Sequence, residues 1–229
     1  MGRQPQQDQK HRALQLVEDL VREIAPLERA ARTAQWEAMT RGGDSLYAEY
    51  RLAMTAYRAR LSDAASLSSV RALLASSEQL DPTLTRRLQV WELHLASHRA
   101  DPDDVTERVA LETRIEQSFS TYRGTIDGKP RSMNELTDIL RHEPDRELRR
   151  AAWEAQKSVG ELVAEPMVAL MELRNQTAQQ AGYLNWWDMQ IRSSELDPVW
   201  LMELFDELGR ITDAPFREAK IRMDEAVAT

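Results

Sequence analysis

Three Asp-Pro dipeptides, Asp81-Pro82, Asp101-Pro102 and Asp197-Pro198, restrict this chain more than any other feature. In each, the aspartate can cap a helix and the proline, with no N–H to lose, fits the first helical turn. Each reads as a helix start. Their irregular spacing argues against a solenoid repeat.

The stretches between them keep a helical period. Leu14, Leu16, Val17, Leu20, Val21 and Ile24 form one stripe, with Pro26 as a kink or break, and Ala30, Ala31, Ala34 and Met39 continue it to Gly42-Gly43. Asp44 or Ser45 can cap a second helix, with Leu46, Tyr47, Tyr50, Met54 and Tyr57 on one face and an end at Ser62 or Asp63. Residues 66–80 read as a short helix. Helix 82–100 carries Leu84, Leu88, Trp91 and Leu95; helix 103–121 carries Val105, Val109, Leu111, Ile115 and Phe119. Residues 121–131, with Gly124, Gly128 and Pro130 beside β-branched Thr125 and Ile126, predict a loop or one small hairpin. Ser132 and Glu135 have capping-box spacing.

From Glu143 two consecutive helices are expected. Pro144 suits the first turn, and Asp145 and Glu147 favour the positive end of the helix dipole. Leu148, Ala152, Ala155 and Val159 form the buried stripe, and Gly160 loosens the chain before the next helix. That helix carries Val163, Met167, Leu170, Met171, Leu173, Ala178 and Ala181, begins or kinks near Pro166 and stops at Gly182. After Asp197-Pro198 comes an apolar helix through Ile211, interrupted by Gly209 and Pro215. The chain restarts at Phe216 and reads as a helix cut in mid-course. The expectation is an all-α antiparallel helical bundle array, with residues 1–9 a disordered tail and residues 10–229 one helical domain.

Composition narrows the function classes. The 229 residues hold 30 basic and 38 acidic side chains, net −8, so nucleic acid is not an expected partner. No apolar run is long enough to span a membrane, and the polar N-terminus resembles neither a signal peptide nor a myristoylation site, so the default address is cytoplasmic. With no cysteine, disulfides and thiolate zinc sites are excluded.

Little in the chain reads as chemistry. His94 and His98 stand four apart on one helix, but Leu95 occupies the position where a zinc peptidase needs its glutamate, so both read as packing or surface groups. His11 and His142 are single. The acidic pairs Asp103-Asp104, Glu143 with Asp145, and Asp224-Glu225 fit helix starts and solvated faces. Most of the tryptophans, Trp36, Trp91, Trp153, Trp186, Trp187 and Trp200, lie on apolar stripes and read as core. Trp186 and Trp187 point about 100° apart on a helix, so one of them is free to line a cleft or meet another part of the protein.

The pattern W-x6-G followed by L-R-N-x2-A-x3-G-Y-x-N resembles the N-terminal helical half of the zinc oligopeptidases: oligoendopeptidase F, thimet-type peptidases and angiotensin-converting-enzyme-like carboxydipeptidases. It is carried by Arg150, Trp153, Gly160, Leu173, Arg174, Asn175, Ala178, Gly182, Tyr183 and Asn185, with a weaker A-x2-A-x-W upstream at Ala31, Ala34 and Trp36. The resemblance implies one wall of a deep cleft that admits short peptides, in an enzyme whose zinc is held by an H-E-x-x-H helix and a later glutamate. No H-E-x-x-H occurs in this sequence. The expectation is therefore no catalytic, cofactor-binding or metal residue here, with zinc in the full-length family member and no activity from this polypeptide alone. Arg174, Asn175, Tyr183, Trp186 and Trp187 are the candidate cleft-lining residues. The alternative is a self-contained, non-catalytic helical scaffold or interaction protein. An N-terminal portion would expose apolar surface and could self-associate through it.

Overall fold

A computed structural model describes residues 3–76, 78 and 80–228. It is an all-α array with one two-stranded hairpin. In chain order the elements are α1 (Arg3–Arg41), α2 (Asp44–Leu61), α3 (Ala64–Leu74), α4 (Pro82–His98), α5 (Pro102–Thr121), β1 (Gly124–Ile126), β2 (Lys129–Arg131), α6 (Met133–His142), α7 (Arg146–Lys157), α8 (Val159–Gln180), α9 (Trp186–Ser193) and α10 (Pro198–Ala228).

The helix starts follow local chemistry. Asp81 accepts the Leu84 amide, Asp145 that of Glu147 and Asn185 that of Asp188. Ser132 and Glu135 form the reciprocal capping box. Asp101 precedes Pro102 but makes no side-chain cap bond. The α8 helix ends in a Schellman motif: Tyr183 N–H donates to Ala178 and Gly182 N–H to Gln179, around Gly182 at φ +91°. The hairpin pairs Ile126 with Lys129 across Asp127-Gly128, where both φ angles are positive, the geometry a two-residue type I′ turn demands.

Several boundaries differ from the sequence reading. Residues 3–9, expected as tail, are the first turns of α1, where Gln9 donates to the Ser76 carbonyl; residues 1 and 2 lie outside the described residues. The α1 helix runs through Pro26. Gly43, not Asp44 or Ser45, precedes α2. The short helix ends at Leu74 rather than Leu80. Pro144 stays outside α7, because Asp145 takes the cap. The joint between α7 and α8 falls at Ser158, and Gly160 and Pro166 lie inside α8. Gly209 and Pro215 do not interrupt α10, which is one 31-residue helix. A proline removes a single intrahelical bond, so one such residue need not stop a helix that continues well on both sides.

The main core joins α1 to α4 with part of α5: Val17, Leu20 and Ile24 of α1 meet Tyr50, Met54 and Tyr57 of α2, Val70 of α3, Leu84, Leu88 and Leu95 of α4, and Val109. A smaller core under the hairpin holds Ile126, Leu136, Ala152 and Ala155. Gly124 is required there, because a Cβ would stand 2.8 Å from both the Ala155 carbonyl oxygen and Leu136 Cδ1.

Beyond these cores much apolar surface is bare. The accessible area is 15395 Å², whereas a compact monomer of 26.3 kDa exposes about 10,600 Å². Exposed apolar side chains occur on several helices and run the length of α10, where Trp200, Phe205, Leu208, Ile211, Phe216, Ile221 and Met223 are all exposed. Of the tryptophans expected in the core only Trp91 packs against it, half-buried; Trp36, Trp153 and Trp200 are exposed, and of the pair left open Trp186 is half-buried and Trp187 exposed. Aliphatic and tyrosine side chains fill the space between the helices instead, and the indoles stand at the margins. No helix among the described residues is long and apolar enough to cross a membrane.

Candidate functional site

Polar residues converge where α2, α5 and α8 meet. Helical spacing on α5 sets Arg108, Glu112 and Glu116 along one face, each four residues from the last. Arg58 reaches Glu112 from α2, and Arg174 Nη2 reaches it from α8 at 2.8 Å. The Glu112 side chain is only 13% exposed, so this three-way pairing is largely removed from water.

Arg108 lies behind it, 2% exposed, with no hydrogen-bond partner for Nε or Nη1. Its guanidinium faces the Trp186 ring at 5.4 Å, and Arg174 faces the same ring at 5.3 Å. One indole thus contacts two cations that would otherwise repel each other. Burial, reinforced by Arg58 and Arg174, lowers the Arg108 pKa to about 10 against the opposing pull of Glu112.

Glu116 is the second carboxylate. Burial raises its pKa, and nearby Glu112 adds to the effect while Tyr50, Gln35 and Arg58 oppose it. Tyr50 is raised for the same first reason, burial, with Glu116 next. Gln35 donates to the Tyr50 hydroxyl at 3.0 Å.

These residues border an open cleft of 410 Å³ between α1, α2, α5 and α8. Its polar lining is Arg32, Gln35, Tyr50, Arg58, Glu112, Glu116 and Arg174; its apolar lining is Met54, Ile115, Met167 and Leu170. A larger groove of 650 Å³ along the outer side of α1 and α2 is floored by Ala25, Ala30 and Ala34, and its Arg29, Arg41 and Glu49 are exposed. It contains no comparable buried network, which makes the smaller cleft the candidate site.

Neither a family model nor a characterised protein nor a solved structure matches this chain. The reading of the site therefore rests on its own geometry.

The five residues singled out in the sequence separate in space. Arg174 lines the cleft. Asn175 accepts the Trp186 amide at 3.0 Å and fixes the turn from α8 to α9. Tyr183 supplies a backbone bond to the Schellman motif. Trp186 stacks behind the cleft on Arg108 and Arg174, and Trp187 is exposed. Those four are not among the residues lining the cleft. Their placement follows from the turn between α8 and α9: the bend's own amides, Gly182 and Tyr183, go to α8 carbonyls, and Asn175 and Asn185 accept the free amides of Trp186 and Asp188 in the first turn of α9. Sequence reading missed Arg58, Arg108, Glu112 and Glu116. The only local signal was the four-residue repeat of Arg108, Glu112 and Glu116 on a helix whose apolar stripe lay beside them.

The histidines form a separate pair. Trp91 and His94 meet edge to face at 5.9 Å, and the His94 and His98 rings lie 4.8 Å apart. His98 Nδ1 sits 2.8 Å from the His94 carbonyl, so that nitrogen carries the hydrogen. Burial drives the His98 pKa down to about 4. Among the described residues no group of three or more histidine, cysteine, aspartate or glutamate side chains could hold a metal ion.

Proposed function

We propose that this chain is the N-terminal helical wall of a peptide-hydrolysing zinc enzyme, shaping a cleft for short peptides while the metal ligands lie outside these residues. The reading draws its family from the pattern running from Trp153 to Asn185. The observation that carries it is α10. Its exposed Trp200, Phe205, Leu208, Ile211 and Phe216 form an apolar side that water alone solvates poorly, as expected of a surface shaped to be covered by more protein.

The polar cleft is consistent with this role. Peptides carry charge at their termini and apolar bulk in their side chains, and the 410 Å³ space offers guanidinium groups beside methionine and leucine walls. In such an assembly these helices would contribute substrate positioning and exclusion of folded proteins, not bond cleavage.

The direct test is to read the coding DNA beyond residue 229 and assay the encoded product. The expected result is an in-frame H-E-x-x-H and zinc-dependent hydrolysis of short peptides, absent from the 229-residue polypeptide. Zinc-dependent hydrolysis by the polypeptide itself, lost on His94→Ala or His98→Ala, would overturn the proposal. So would a gene that holds no such motif.

A further inference from the structure

Although the chain carries net −8, its interior is cationic at one place. Arg58, Arg108 and Arg174 gather around Glu112, and Arg32 stands at the open side of the same cleft. The pairing with Glu112 engages Arg174 through Nη2, and Arg174 Nε has no acceptor. That nitrogen is shielded from water, and 31% of the Arg174 side chain remains exposed to the cleft. Arg108 lies behind the lining, and its Nε and Nη1 have no acceptor, so Glu112 is left with more cations around it than it can pair.

The neighbouring surface limits what that anion can be. The lining residues lie on the flanks of α1, α2, α5 and α8, within helices whose amides are already engaged, so an anion must be held by side chains. Guanidinium forks match a planar carboxylate. Glu112 and Glu116 in the same lining repel a dianion more than a monoanion, which disfavours phosphate. The volume of 410 Å³ suits a ligand of one or two residues.

We propose that this cleft binds the free C-terminal carboxylate of a short peptide through Arg32 and Arg174, with the terminal residue's apolar side chain against Met54, Ile115, Met167 and Leu170. The peptide identity of the ligand rests on the function proposed above; the monoanion preference rests on the cleft alone.

Calorimetric titration of the purified 229-residue protein with N-acetyl-alanyl-phenylalanine, and with the same dipeptide as its C-terminal amide, tests this. The acid should bind at least about tenfold more tightly than the amide, one charge-assisted contact's worth. Arg174→Gln should abolish that preference. Because Arg174→Gln also disturbs the Glu112 pairing, Arg32→Gln is the second variant: Arg32 is largely exposed and makes only loose contacts within α1, with Glu28 at 3.9 Å and Gln35 at 3.4 Å, so the fold should be unaffected while the acid loses about threefold or more in affinity. Equal affinity for acid and amide overturns the proposal, as do no binding at about 10 mM acid and unchanged affinity in both variants. Displacement of the peptide by an equal concentration of inorganic phosphate overturns it in favour of a phosphate site. Hydrolysis is not measured in this experiment, so this proposal and the enzymatic one can fail separately.

Discussion

Arg174 on α8 donates a 2.8 Å bond to Glu112 on α5, tying two helices whose residues are 62 positions apart in the chain. Arg58 of α2 shares the same carboxylate. Replacing it by Glu112→Gln leaves two cations facing each other with no anion between them. The expected loss is roughly 2 to 3 kcal/mol, below that of a sealed ion pair because the Arg174 side chain keeps 31% of its exposure. Urea denaturation of the wild type and variant checks it, and a loss under about 0.5 kcal/mol would assign the network no structural weight.

Arg108 should behave in the opposite way. Two of its nitrogens are buried without acceptors, so its cation is compensated mainly by the Trp186 ring and by the attraction of Glu112 and Asp104. Arg108→Met keeps most of the volume and removes the charge. Stability should stay level or rise by about 1 kcal/mol. A loss above about 2 kcal/mol would mean that the guanidinium is better compensated than its contacts indicate.

His98 gives the fold a dependence on acidity. Burial holds it neutral down to about pH 4, with Arg108 and Arg58 also opposing its charge, whereas an unfolded histidine takes a proton near pH 6.5. Between those values the unfolded state binds the extra proton, so stability falls as pH drops from 6.5 towards 4 and levels off below. The span corresponds to roughly 3 kcal/mol. Glu116, whose pKa is raised, works the other way and gains stability on acidification. The informative measurement is therefore the difference between wild type and His98→Gln at pH 7 and pH 4.5: the variant should lose less on acidification. Parallel losses would remove His98 from the account.

Gly124 tests the hairpin's attachment. The Cβ of Gly124→Ala would press on the Ala155 carbonyl and Leu136. Backbone cannot yield as a flexible side chain can, so a destabilisation of about 1 to 3 kcal/mol is expected. Hydrogen exchange should show the loosening first in α6 and α7, and equal exchange in both proteins would contradict the contact.

The apolar side of α10 should be energetically idle in the isolated chain. Phe205→Glu and Leu208→Glu, both at exposed positions, should change stability by less than about 0.5 kcal/mol. The same pair should reduce binding of a hydrophobic dye and any self-association. A large loss of stability would instead place these residues in a core.

Much of the fold was legible because its signals are local. The Ser132–Glu135 box, the Asp81-Pro82 start and the Gly182 stop act within one helical turn, and each operates at its own position. The failures at Gly209 and Pro215 came from reading single residues as breaks, when the helix continuing on both sides outvotes them, whereas the break expected near Gly160 exists and falls at Ser158. The tryptophans misled for another reason: a stripe shows which residues share a side of a helix, not whether another helix covers it, and at Trp36, Trp153 and Trp200 none does. The cleft was the least legible part. Arg174 belongs to a recognisable pattern, but Arg58, Glu112 and Glu116 look like ordinary solvated charges until α2, α5 and α8 are brought together.

A 31-residue helix is about 46 Å long, and α10 follows α9 after four intervening residues. Such an arm multiplies small rotations: a tilt of about 5° at Pro198 carries the far tip through roughly 4 Å over that length. Its fulcrum adjoins the short helix that begins at Trp186, the indole facing Arg108 and Arg174. The distal turns of α10 thus lie at the far end of a lever whose near end adjoins the element behind the arginine cluster.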